Sequence, residues 1–386
     1  VADVDGTRAG DVAIADGEIV AVGDDVADAI DEHGSGSDDV TEINVDDAVV
    51  APGLIDAHVH AMMDGRPDVA TAVADSDYTA SYRTASNLRD AVEAGVTTIR
   101  DLGARGTLAL DAGDAVADGK IDGPRIVACG RNVIMTGGHG NWFGREADGP
   151  AEVRKAAREQ LHDGADVLKC MATGGVLTEG AVTGAPELTP EELAALTDAA
   201  APTNTPTAAH AHGTEGIKNA VEAGITSIEH GTFMDREAAE MMADRGTYWV
   251  PTASALHGIV DNGVEAGIPE EAVEKAEDAA DHFEDAWDHA LDAGVSIAMG
   301  TDAGTPFNFF ADIPQELAYM VDYGLSPADA LEAATVNAAD LLGLDDVGRV
   351  AEGYRADLVV LDADPTEDVS AWRNPEAVFA AGERVL

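Results

Sequence analysis

Six side chains in this sequence have the types and spacing to grip cations. They are His58 and His60 in Gly53-Leu54-Ile55-Asp56-Ala57-His58-Val59-His60, Lys169 in Val167-Leu168-Lys169-Cys170-Met171, His210 in Ala208-Ala209-His210-Ala211-His212-Gly213, His230 in Ser227-Ile228-Glu229-His230-Gly231, and Asp302 in Gly300-Thr301-Asp302-Ala303-Gly304. On a strand, residues two apart leave from the same face, so His58 and His60 can hold one ion between them. Imidazole is a common ligand for zinc. Taken singly, each residue reads equally well as a satisfied polar group at the end of a strand. Lys169 is one of only five lysines and stands in an apolar run. A buried, unpaired ammonium is costly, so this lysine must be paired, neutral or chemically altered. Converted to a carbamate by carbon dioxide, it becomes an oxygen ligand able to bridge two cations. Without the other ligands, a structural ion pair would be the simpler reading.

These residues need elements to carry them, and the chain supplies a regular series. From Gly53 onward, short β-rich runs alternate with helical segments of about a dozen residues, the pattern of a parallel sheet built from βα units. Eight candidate strands lie at residues 54–60, 96–101, 125–129, 166–171, 207–212, 226–230, 248–252 and 296–302. Eight such units predict a (β/α)8 TIM barrel, an α/β fold whose functional groups gather at the C-terminal strand ends. Every candidate ligand falls at such an end. The first fifty residues read instead as short strands with turns, at 11–14, 18–23 and 48–50, with a polar loop at 32–40. Strand-like pieces return at 347–350, 357–361 and 377–380. The expected organisation is a small β-sandwich composed of residues 1–52 and 345–386, flanking a barrel over residues 53–344.

The run Ala51-Pro52-Gly53-Leu54-Ile55-Asp56-Ala57-His58-Val59-His60 resembles the opening signature of the amidohydrolase superfamily. Residues 348–361, from Gly348-Arg349-Val350 to Val359-Val360-Leu361, resemble its closing strand pair. Between them, Lys169 to Gly175, the His210 segment, Glu229-His230-Gly231-Thr232 and Gly300 to Gly304 match in order, so the resemblance covers nearly the whole chain. Within the superfamily the sequence is most similar to zinc-dependent Xaa-Pro dipeptidases and arginine/lysine carboxypeptidases, through Thr136-Gly137-Gly138-His139-Gly140, Lys169 and Thr173-Gly174-Gly175-Val176-Leu177. The related imidazolonepropionases lack the strand-four lysine and use one metal.

The resemblance implies two divalent ions, expected to be zinc. His58, His60, carbamylated Lys169 and Asp302 would hold the inner ion, and Lys169, His210 and His230 the outer one. A metal-bridging hydroxide would attack an amide-type C–N bond in a dipeptide or N-acyl amino acid, with Asp302 as the catalytic proton carrier. It further implies that His139 and the residue two after His210 hold the substrate carboxylate. Relatives have tyrosine at that second position, whereas this chain has His212. The same chemistry also suits a lactam, urea, cyclic amide or ester. A non-catalytic binding protein on this fold would usually have lost ligands. Among the remaining histidines, His257 follows the seventh strand and is a candidate for the pocket wall, while His33, His162, His282 and His289 read as surface residues. The Gly- and Thr-rich stretch at 173–186 is long for a plain connection and is expected to fold over substrate.

Composition narrows the partners. Asp and Glu total 74 against 22 Lys and Arg, for a net charge of −52. A field of that sign repels phosphate backbones and anionic lipid, so neither nucleic acid nor membrane is expected as a partner. No apolar run approaches the ~18 residues needed to span a bilayer, and the first residues carry no basic region or apolar signal-peptide core. Two cysteines, Cys129 and Cys170, suit a reduced cytoplasmic setting. A small-molecule substrate and a homo-oligomer, the family habit, complete the expectation. The acids are dispersed instead of clustered in tails, as on a haloarchaeal protein surface where salt screens their mutual repulsion. Folding and activity are therefore expected to require molar salt. Full retention of circular dichroism and turnover in dilute buffer would refute that expectation.

Overall fold

A computed structural model describes residues 1–33, 40–45 and 48–386. Its centre is a parallel barrel. Strands β1 (Leu54–Val59), β2 (Val96–Asp101) and β3 (Arg125–Ala128) pair in parallel. So do β4 (Leu168–Met171), β5 (Thr207–Gly213), β6 (Ser227–Phe233) and β7 (Tyr248–Val250). The two groups meet where Asp166 N donates to Ala128 O at 2.9 Å. All residues of β1, β2, β4 and β5 are buried, as expected of strands covered on both faces.

Closure falls to residues 296–303. Trp249 N donates to Ser296 O at 2.9 Å on one side, and on the other Ala57 N donates to Met299 O at 2.8 Å and Asp302 N to His58 O at 2.7 Å. This eighth stave is not a continuous strand. It makes two isolated bridges, Trp249↔Ile297 and Val59↔Ala303. Two features break the ladder between them. A Cβ at Gly300 would stand 2.4 Å from Val250 Cγ1 and 2.9 Å from His58 Cβ, so the backbone passes too close for any side chain. Asp302 then turns into the left-handed region, at φ 60°.

Helices cover the barrel outside, and their starts were readable. Thr189 and Glu192 form a reciprocal capping box ahead of the helix Pro190–Ala200, and Ser326 and Asp329 do the same for Pro327–Ala333. The long helix Glu270–Ala293 buries Ala276, Phe283 and Trp287, and the Trp287 ring meets Trp249 of β7 with centroids 4.7 Å apart. No helix among the described residues is long and apolar enough to cross a membrane.

Both chain ends build the flanking β-sandwich. Strands Glu383–Arg384, Ala377–Ala380, Leu358–Leu361 and Val49–Pro52 form one antiparallel sheet in that order. The hairpin Val12–Ala15/Glu18–Val22 lies against it, and Ile19, Val350, Ala356, Leu358, Val360 and Phe379 share one core. Residues 347–350 are not the strand the sequence suggested. Gly348 (φ 85°) bends there, and a Cβ on it would meet the Thr335 carbonyl at 3.0 Å. The stretch read as strands and turns also contains a helix, Val26–His33, whose Ala29 packs on Ala13 and Ala21. It takes in the first residues of the expected 32–40 loop, of which 34–39 lie outside the described residues.

Candidate metal centre and pocket

The C-terminal ends of the strands converge on one buried pocket, lined among others by His58, His60, His139, Lys169, His210, His212, His230 and Asp302. The residues were named from separate strands up to 244 positions apart, and the barrel brings all of them to its mouth. Three residues there, His230 (φ 68°), Thr252 (φ 56°) and Asp302 (φ 60°), adopt left-handed backbone that non-glycine residues seldom take. Such conformations persist where the surroundings over-determine them, commonly at functional sites.

Hydrogen bonds decide which ring nitrogen each histidine offers. His58 Nδ1 lies 2.8 Å from Glu229 Oε2. That carboxylate also accepts from Arg100 Nη2 at 3.1 Å and Ser227 Oγ at 2.5 Å, so His58 must donate to it. His60 Nδ1 faces the Gly103 carbonyl at 2.8 Å, again an acceptor. His230 Nδ1 lies 2.7 Å from Thr252 Oγ1, whose own proton goes to Pro251 O at 2.7 Å. In all three, Nδ1 carries the proton and Nε2 presents a lone pair. The Nε2 atoms of His58 and His60 stand 3.4 and 3.3 Å from Asp302 Oδ1. That oxygen and His210 Nε2 are both buried without a hydrogen-bond partner. Lone pairs aimed at a bare carboxylate oxygen repel one another, and a cation between them turns each contact attractive. The residues therefore fit a divalent metal, with His58, His230 and Asp302 offering donor atoms within 4.8 Å of one another, as do His210, His212 and His230.

Titration behaviour agrees. Burial, aided by neighbouring positive charge, holds His60 down at about 4 and His210 and His230 well below the ordinary range, which favours neutral rings able to offer lone pairs. Burial pushes Asp302 up to about 8 against the pull of Lys169. Lys169 is 1% exposed, and burial lowers its pKa despite attraction from Glu229 and Asp302. Its ammonium makes no hydrogen bond or ion pair with the described residues, so the structural ion-pair reading finds no partner. A lysine held toward the neutral amine is the form that adds carbon dioxide.

His139 lies outside both groups of converging donor atoms. Thr178 Oγ1 accepts from Gly140 N at 3.2 Å and lies 2.8 Å from His139 Nδ1, which leaves Nε2 as the ring nitrogen not engaged by the protein. The ring is wedged against Gly175, where a Cβ would stand 2.5 Å from it. From residues 173–186, Val176 and Leu177 line the pocket, and Lys275 Nζ donates to the Thr178 carbonyl at 3.0 Å. The rest of the wall is apolar, with Val69, Trp142, Phe143, Leu256, Ile259 and Phe283. His257 is not on it, being stacked on Tyr319 at 4.1 Å. His162 and His282 are exposed, and His289 is half-buried with its ring on the Met234 carbonyl.

Sequence reasoning missed Arg100 and Glu229, both fully buried beneath the centre. Each is a charge inside a strand with polar neighbours, Thr97, Thr98 and Asp101 around Arg100 and Ser227 and His230 around Glu229, so no apolar run marked it in the sequence. Glu229→Gln is expected to loosen the metal about 10- to 100-fold, the usual effect of losing a ligand's outer partner. Competition with a chelator measures this, and unaltered affinity would refute it.

The chain belongs to the amidohydrolase family, whose family model matches residues 49–385. It is thus a hydrolase acting on carbon–nitrogen bonds. Ochratoxinase of Aspergillus niger is 32% identical over 362 residues, covering 86% of this chain and 73% of that protein. The crystal structure of a Xaa-Pro dipeptidase with bound methionine superposes with TM-score 0.88 at 33% identity, covering 97% of this chain and 94% of that one. A prolidase complexed with N-methylphosphonate-L-proline gives TM-score 0.90 at 29% identity over 99% and 97% of the two chains.

Proposed function

We propose that this chain is a binuclear, zinc-dependent hydrolase of the amide bond in a dipeptide or N-acyl amino acid. The observation that carries this reading is the set of imidazole Nε2 lone pairs converging on the unpartnered Asp302 Oδ1, with a buried and unpaired Lys169 beside it. The names of the relatives, a Xaa-Pro dipeptidase, a prolidase and ochratoxinase, support an amide substrate. His58, His60, Asp302 and Lys169 would hold one ion, and His210, His230 and Lys169 the other. Lys169 would do so as a carbamate: its neutral amine bonds to the carbon of carbon dioxide and releases one proton, leaving a carboxylate head. Divalent ions held there would supply Lewis acidity toward a scissile carbonyl and toward water.

Asp302 takes the proton released as water adds to the carbonyl and passes it to the leaving amine nitrogen. His139, through Nε2, holds the substrate carboxylate. The apolar wall of Trp142, Phe143, Leu256, Ile259 and Phe283 receives the side chain and excludes water, which strengthens every charge interaction at the centre. The experiment is turnover of a panel of dipeptides and N-acyl amino acids by zinc-loaded protein in high salt. Cleavage of X-Pro or apolar N-acyl substrates is expected. Inactivity on the whole panel with two ions bound would refute the substrate reading and leave lactams, ureas and esters.

A further inference from the structure

We propose that His212 is a metal ligand, so that His210, His212 and His230 form a three-imidazole cup for the outer ion. The inference rests on the binuclear reading above and departs from the substrate-binding duty that the resemblance assigns to this position. His210 and His212 are two apart on β5 and emerge from one face, and His230 reaches them from β6. Donor atoms of all three lie within 4.8 Å of one another. The His210 ring meets His212 and His230 edge-on, each with centroids 4.7 Å apart, and His212 stacks on His230 at 4.9 Å.

The nitrogens that remain free face inward. Thr232 Oγ1 engages His212 Nδ1 at 2.7 Å and Thr252 Oγ1 engages that of His230 at 2.7 Å, which leaves Nε2 as the atom each ring turns to the cluster; with His212 Nδ1 donating to the Thr232 hydroxyl, its Nε2 offers a lone pair. His210 Nε2 is buried with no partner. No ring-to-ring hydrogen bond from His212 or His230 satisfies that atom. Three packed, neutral imidazoles without shared protons are the arrangement a borderline-soft ion such as zinc or cobalt relieves. His139, whose ring lies 4.3 Å from His210, does not join the converging donor atoms of the cup.

The test uses metal binding itself. Cobalt and zinc affinities of the full chain are measured in high salt by chelator competition for the wild type, His212→Tyr and His212→Gln, with His139→Gln as comparator. Tyrosine keeps a hydroxyl able to meet a substrate carboxylate. The expected result is that His212→Tyr weakens the outer ion by at least about 10²-fold, the ceiling for losing a mere outer partner. The inner ion is retained, and KM shifts less than in His139→Gln. X-ray absorption on wild-type protein at full loading supplies a measurement independent of variant folding, and is expected to count about five imidazoles over two zinc ions. Two ions held as tightly in His212→Tyr and His212→Gln as in the wild type, with KM raised, would overturn this inference alone. Wild-type protein that holds no tight ion would overturn the binuclear reading with it.

Discussion

Asp302→Asn is expected to lower kcat by about 10³- to 10⁴-fold while the protein stays folded, the size of effect that follows from losing a positioned proton carrier. The substitution is nearly isosteric. Asparagine keeps a side-chain oxygen near His58 and His60, and the backbone bond from residue 302 to the His58 carbonyl at 2.7 Å is untouched. What disappears is the ability to take a proton and return it to the leaving nitrogen. Asp302 is suited to that exchange because its Oδ1 is buried and free of hydrogen bonds, so no donor competes for the lone pair. The check is steady-state kinetics together with zinc stoichiometry. Retained ions with lost kcat fit a proton carrier. Unchanged kcat would remove Asp302 from the mechanism.

Lys169→Ala is expected to have a comparable effect for a different reason. On the proposed binuclear reading it deletes the side chain that would serve both ions, so the protein should hold fewer than two zinc ions and lose turnover by about 10³-fold or more. The ion that remains is expected in the cup of His210 and His230, which does not depend on lysine alone. Acetate or formate can enter the space left by the side chain and restore part of the activity, because the missing group is a carboxylate and not an amine. Zinc content by elemental analysis, with and without added carboxylate, measures the outcome. Two ions per chain in the variant would refute the carbamate.

Both predictions concern residues that the sequence picked out by a local signal. A histidine, lysine or aspartate ending an apolar β run is visible without any structure, because strand period and apolar patterning are properties of neighbouring residues. The succession of βα units likewise specified the barrel, and the strand at Leu358–Leu361 announced a sheet at its side. Arg100 and Glu229 stand among polar neighbours in their strands and carried no such signal. Their meaning lay in a contact between His58 and Glu229 across 171 positions of sequence.

By itself, then, the sequence determined the fold class, the order of the staves and the donor atoms at their ends. Tertiary structure alone decided how those donors are used. It showed that residues 296–303 close the barrel by separate bridges, because Gly300 and Asp302 interrupt the ladder. It showed that Glu229, Gly103 and Thr252 place the protons on His58, His60 and His230, and that Thr178 engages Nδ1 of His139. It also turned His212 toward His210 and His230. The physical reason is one of range. Periodicity and side-chain type act within a few residues, whereas a ring's tautomer and direction depend on hydrogen bonds from whichever distant strand packing sets beside it.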